Sequence, residues 1–283
     1  MTKINNRIDF SVIIGVNLAN CNGDPMDENM PRRLGNSDIG LISDVCLKHK
    51  ARMVINTKYA GQPGNGVFVV PSEIDNRSLA SKIAEYKGDV DAINKNFFDV
   101  RAFGGVLIDS NGSSKEAVVA DTDGTKNGNK KPKQTKKVHS KVIGPVSVSH
   151  AISLAPITIT RMQISRCMVQ NDSDIDADKK GTFGNKFIVS DAMYKFTVSV
   201  NARLTEKTGF SLEDVAVLED AITNLFIVDA SAARPAGSMW IESVVKVEHT
   251  STDGSESVRS ISRRHTVDGF DSTGIVGKVT QLV

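Results

Sequence analysis

Asn17-Leu18-Ala19-Asn20-Cys21-Asn22-Gly23-Asp24-Pro25 carries the chain out of an alternating apolar run into a polar turn. Pro31-Arg32-Arg33 follows, and then Gly40-Leu41-Ile42-Ser43-Asp44-Val45-Cys46-Leu47-Lys48, with Arg52 one helical turn beyond Lys48. Ahead of the turn, Ile8, Phe10, Val12, Ile14, Val16 and Leu18 recur at period two, which predicts a strand with one buried face. A helix over residues 39–55 would gather Asp44, Lys48 and Arg52 into one polar stripe between apolar flanks. Asp44 and Lys48 can satisfy each other as an i,i+4 ion pair. Arg52 is then a surplus cation, and a strand feeding a Gly/Asp/Pro loop and a basic helix can offer amides and cations to one line of phosphates.

Outward from this stretch the same patterns recur. Residues 99–108 read as a strand interrupted by Gly104-Gly105, where the backbone either bulges or approaches something closely. Val146, Val148, Ile152 and Leu154 alternate toward Pro156. Tyr194, Phe196, Val198 and Val200 form a second strong strand with these side chains inward. Ser211 opens an amphipathic helix through Leu212, Val215, Leu218, Ile222 and Leu225, with Asp214 in the capping-box position. Met239, Ile241, Val245 and Val247 predict a last strand. The sum is strand, helix, strand, strand, helix, strand: an α+β fold with a ferredoxin-like, RRM-type βαββαβ sheet. Two excursions interrupt it, one within residues 56–155 and a long hairpin within 160–189. The tail, 251–283, with Arg259, Arg263 and Arg264, has no clear period.

The opening stretch resembles the Cas-seven family, the repeated backbone subunit of type I CRISPR surveillance complexes (Cascade), in its type I-C/I-B branch. The family pattern is an Asn-Pro-Asn-Gly-Asp-Pro turn, a Pro-Arg pair, and a Gly-Leu-(Val/Ile)-(Ser/Thr)-Asp-Val-(Cys/Arg)-Leu-Lys helix. Here it reads Asn20 to Pro25, Pro31-Arg32, and Gly40 to Lys48, with Cys21 where the family usually has Pro. The resemblance implies a palm of RRM type (1–55 and 190–250), a fingers insertion (56–155) and a thumb hairpin (160–189). It also implies a non-catalytic subunit that polymerises along a CRISPR guide RNA and holds its phosphates. The exposed bases then pair with target DNA in antiviral defence, so specificity is delegated to base pairing. Its partners would be the guide, the target through the guide, further copies of itself and other Cascade subunits. Carried over residue by residue, the guide contacts would be Asn22, Gly23, Arg32 or Arg33, Ser43, Lys48 and Arg52. Arg101, Gly104 and Gly105 join this candidate RNA-binding set, and Met162 and Met168 would be thumb wedges against a flipped base.

Charge and composition narrow the reading. The net charge of the 283 residues is only +2, so the placement of charge matters more than its sum. Residues 126–141 hold Lys130, Lys131, Lys133, Lys136 and Lys137 among seven lysines and no acid, a basic loop that is either a solvated insertion or a phosphate-contacting arm. Asp172, Asp174, Asp176 and Asp178 balance it in a run too irregular for a calcium loop. Only 5% of residues are aromatic, and Tyr194 and Phe196 share a face with Val198, which argues against base stacking on the sheet. Backbone tracking by Arg, Lys and amides remains. Three widely spaced cysteines give neither a disulfide framework nor a zinc pattern, which fits the cytoplasm. No apolar run is long enough to cross a bilayer, and no cofactor or metal is expected. The rival reading is a metal-dependent RNA-cleaving RRM protein that uses Asp24 or His49.

Overall fold

The computed structural model describes residues 2–108, 139–165 and 183–283. It is a mixed α+β fold built on an antiparallel sheet. The first strand, β1 (Ile8–Ala19), lies at the centre. The short strands β2 (Gly23–Asp24) and β3 (Met30–Pro31) pair with each other. Then come β4 (Ile39–Ile42), α1 (Asp44–Lys58), α2 (Leu79–Glu85), α3 (Val90–Asn96), α4 (Phe98–Phe103), β5 (Gly105–Ile108) and β6 (His139–Val142). Next are β7 (Val146–Val148), β8 (Ala151–Pro156), β9 (Ile159–Ser165), the long β10 (Phe183–Val200), α5 (Ala202–Thr208), α6 (Leu212–Thr223) and β11 (Met239–His249). The chain closes with α7 (Val258–Arg264), β12 (His265–Thr266), β13 (Gly269–Phe270) and β14 (Gly277–Gln281).

The main sheet runs in the order β14-β11-β1-β10-β8-β4, with β7 and β9 also paired to β10. Helices α1 and α6 cover one face. Phe10, Val12, Ile14 and Val16 of β1 and Tyr194, Phe196, Val198 and Val200 of β10 meet Leu47, Ala51, Val54 and Ile55 of α1 and Val215, Leu218 and Ile222 of α6. Each fully buried side chain of this kind contributes about 1.5–3 kcal/mol. A smaller core of Phe68, Ile83, Ile93, Val100, Leu107 and Val142 holds together the excursion between α1 and β7. Because β7 and β8 pair with β10, the excursion returns to the main sheet at Val146, earlier than the boundary at 155.

Several local readings are corrected. The segment 39–42 is a strand, and the helix starts only at Asp44. Gly40 lies so close to the Tyr194 ring that a Cβ would sit 2.4 Å from its hydroxyl, and Ser43 caps α1 by accepting the Cys46 N–H. Residues 98–103 are helical rather than extended, and only Gly105–Ile108 form a strand. Leu18 breaks the β1 alternation: it adopts φ 52° and is exposed, while Ala19 is buried instead. In β11 the register shifts so that Ile13 faces Ser243 and Ile14 faces Ile241. That shift turns Val244 into the core under the helices and sends Val245 and Val247 to the opposite face.

The opposite face is not open, and β1 is covered on both sides, with Asp9, Ser11 and Ile13 all buried. The tail does this. Ile261 of α7 packs on Val245 and Val247, with Phe270, Ile275 and Val279 at the margin. Beneath the tail lies a satisfied polar layer. Asp9 accepts from Arg7 Nε (3.0 Å) and Ser199 Oγ (2.6 Å). The Ser255 N–H donates to His249 Nδ1, so Nε2 carries the proton and donates to Asp9 (2.8 Å). His265 bridges the Ser11 and Ser243 hydroxyls, and Lys195 donates to the carbonyls of Ser262 and His265 at the end of α7.

Candidate nucleic-acid interface

The polar turn is a tightly bonded hairpin. Asp24 Oδ1 accepts the Met26 N–H, and Glu28 and Asn29 take left-handed conformations at φ 47° and 59°. Asn20 Nδ2 donates to the Asn29 carbonyl at 2.6 Å. Gly23 is required here, because a Cβ would sit 2.9 Å from the same carbonyl. Asn22 Oδ1 accepts the Ser43 N–H at 2.9 Å, and Ser43 Oγ accepts the Cys46 N–H at 3.2 Å. Turn and helix N-terminus therefore form one rigid piece. Arg32 is folded back onto the turn by an ion pair to Asp24 (3.1 Å), and its buried Nε has no hydrogen-bond partner among the described residues. Arg33 is the more exposed of the two and pairs with Asp38 at 3.3 Å.

Along α1, Lys48 pairs with Asp44 at 2.9 Å. The imidazole of His150, from the β7–β8 connection, accepts the Asp44 N–H through Nδ1 at 3.0 Å. Partial burial is the largest single influence on the Asp44 carboxyl and opposes ionisation, but the hydrogen bond and charge of Lys48 outweigh it, and the affinity of Asp44 for a proton falls. Arg52 is not surplus, as the helix pattern alone suggested. Its Nε donates to Asp99 at 2.9 Å and its guanidinium lies 5.3 Å from the Phe103 ring centroid. Sequence reasoning missed His150, Asp99 and Phe103. Only the i,i+4 spacing of Asp99 and Phe103 within a helix would have hinted at a shared face, and that stretch read as extended.

Other members of the candidate set lie elsewhere. Arg101 is 2% exposed and its donors are spent inside the protein. Nε and Nη2 grip Asp214 at 3.0 and 2.6 Å, Nη1 bonds the Asn94 carbonyl at 2.7 Å and Nη2 the Gly64 carbonyl at 3.0 Å. Burial removes it from the phosphate-contacting set. The close approach at Gly104 (φ 72°) is to this chain's own Gly144 and Val142, where a Cβ would sit 2.6 and 2.4 Å away. Gly105 opens β5 with free space around it. Met162 is exposed on β9, which pairs with β10 from Ile159 opposite Val189 to Ser165 opposite Phe183. Met168 and Lys130, Lys131, Lys133, Lys136 and Lys137 lie outside the described residues, as does the acidic run.

The residues of the hydrolytic reading are differently engaged. Asp24 is committed to the turn and to Arg32. His49 is exposed beside Lys50, Asp229 and Arg234, and partial desolvation together with the Lys50 and Arg52 charges lowers its proton affinity. Among the described residues, no three His, Cys, Asp or Glu side chains gather as a metal site, and no helix is long and apolar enough to cross a membrane.

The model of a family described as CRISPR-associated protein Cas7 matches residues 6–274. No curated protein matches the chain. Among solved structures, a chain of a "CRISPR RNA-guided surveillance complex, pre-nicking" is similar at 12% identity and TM-score 0.47, over 86% of this chain and 78% of that one. A chain of a "CRISPR RNA-guided surveillance complex" is similar at 14% identity and TM-score 0.44, over 86% and 69% respectively.

Proposed function

The chain belongs to the family of CRISPR-associated protein Cas7, and we propose that it is a non-catalytic, repeated backbone subunit of a type I-C/I-B-like surveillance complex. In this reading it polymerises along a CRISPR guide RNA in the cytoplasm, grips the phosphates, and leaves bases free to pair with target DNA. Other subunits of the complex complete the assembly. The palm is the ferredoxin-like unit of β1, α1, β8, β10, α6 and β11, whose order β11-β1-β10-β8 with both helices on one face fits the RRM arrangement. The excursion between α1 and β7 would be the fingers, and β9 with the start of β10 the thumb.

One observation carries the reading. The bond from the Ser43 N–H to Asn22 joins the polar turn to the head of α1, so Gly23, Ser43, Lys48 and Arg52 travel on a single rigid surface. Phosphate contacts of this sort position a strand without reading it. A second observation supports backbone tracking over base stacking. The tail occupies the middle of the sheet face on which an RRM ordinarily stacks bases. The test is purification from a host expressing a CRISPR array beside an array-less host. The reading predicts co-purified RNA of uniform length in the first and its loss in the second. Protein free of RNA in both would overturn it.

A further inference from the structure

We infer that Asp99 is a positioning residue for Arg52, and that helix α4 is the bracket that aims the Arg52 guanidinium at a phosphate. The inference rests on the reading of α1 as a phosphate-gripping surface. Asp99 is 1% exposed and neither of its oxygens is idle. Oδ1 accepts the Phe68 N–H at 2.7 Å, and Oδ2 accepts both the Val69 N–H at 3.0 Å and Arg52 Nε at 2.9 Å. The carboxylate is thus fixed from two sides before it meets Arg52. One helical turn on, Phe103 lies against the guanidinium.

The bracket itself is immobilised. On its other side Arg101 clamps α4 to Asp214 at the head of α6 and to the carbonyls of Gly64 and Asn94. At its end, Gly104 is pressed against Gly144. Arg52 is therefore held by one edge and near one face. Its two Nη nitrogens have no hydrogen-bond partner among the described residues, and the side chain is 14% exposed. A guanidinium tethered through Nε keeps its Nη edge free for a phosphate, which takes parallel N–H donors. Lysine cannot reproduce this, because its ammonium is a compact point charge with no second, planar edge of parallel donors to turn toward a phosphate while the first edge holds Asp99.

The test measures binding of the full chain to a fluorescently labelled oligouridylate across a salt series, with thermal melts as the check on folding. Arg52→Lys keeps the charge on α1, yet the inference predicts a roughly ten- to hundredfold loss of affinity. It also predicts a log–log salt slope shallower by about 0.7, the signature of one lost phosphate contact. Asp99→Asn removes a negative charge, which by simple electrostatics would strengthen RNA binding; the inference predicts weakening. Asp99→Asn with Arg52→Gln should be no weaker than Arg52→Gln alone. Wild-type affinity in Arg52→Lys, or additive losses in the double variant, would overturn the role of Asp99 while leaving Arg52 as a phosphate contact. An Arg52→Gln variant with wild-type affinity and slope would remove Arg52 from the interface and the inference with it.

Discussion

The carboxamide oxygen of Asn22 accepts the backbone N–H of Ser43 at 2.9 Å, and this one bond splices the polar turn onto the first turn of α1. The Ser43 N–H would otherwise stand unpaired at the mouth of the helix. Asn22→Ala is expected to cost about 1 kcal/mol of stability, the typical worth of a single hydrogen bond, read as a lower urea midpoint at unchanged m-value. RNA affinity should fall further than stability predicts, because turn and helix lose their common frame. A variant with wild-type RNA affinity would show that the splice has no part in binding.

Arg101 and Lys48 should separate stability from binding. Arg101→Ala leaves Asp214 as an uncompensated buried charge, a change that costs about 3–5 kcal/mol. Lys48→Ala breaks a partly exposed i,i+4 pair worth less than about 1 kcal/mol. Denaturation and RNA binding measured on both should give opposite patterns: Arg101→Ala poorly folded, Lys48→Ala folded and weak in RNA binding toward unrelated sequences alike.

How far the sequence was legible follows from which signals are local. Tyr194, Phe196, Val198 and Val200 were readable because period two is a local property of alternate positions in one short stretch, and all four are buried together. The head of α6 was equally clear, since Asp214 stands three residues after Ser211 and accepts its N–H. The β11 bulge was not, because a single skipped residue moves Val245 and Val247 to the other face without changing the apolar count. Nor was the tail, whose short strands and single core anchor, Ile261, offer no repeat. At the candidate site the turn and the basic stripe were visible as motifs, while the partners of Arg52 and Arg101 were not. Buried ion pairs are made between residues far apart in the chain, and no spacing rule announces them.

The polar layer beneath the tail predicts an acid-sensitive contribution. His265 sits among neutral hydroxyls, and burial, aided by the nearby Lys195 charge, pushes its pKa down to about 4. Between about pH 6.5 and 4 the unfolded chain therefore binds a proton that the folded chain refuses. Stability should rise with pH through that window and fall as the solution is acidified. His265→Gln keeps a donor and an acceptor but does not titrate, so its melting temperature should change less between pH 7 and pH 4.5 than that of the parent. Equal slopes would contradict the assignment.

The RNA is expected to leave intact. Asp24 is bound into its turn, and the Asp229 carboxylate near His49 is held by Lys50 and Arg234, so among the described residues neither has the partner that hydrolysis requires. Incubation of RNA with the parent, Asp24→Asn and His49→Ala, with and without magnesium, should give identical fragment patterns on a denaturing gel. Magnesium-dependent shortening that Asp24→Asn abolishes would favour the hydrolytic alternative.

The central claim is that this surface grips a phosphate backbone without reading bases, and salt tests it most directly. Affinity for single-stranded RNAs of unrelated sequence, measured across a salt series, should fall linearly in log–log form with a slope of about 0.7 per phosphate neutralised. The slope should be the same for every sequence, and Lys48→Ala with Arg52→Ala should lower it equally for all of them. Affinity indifferent to salt, or loss confined to one sequence, would contradict the account.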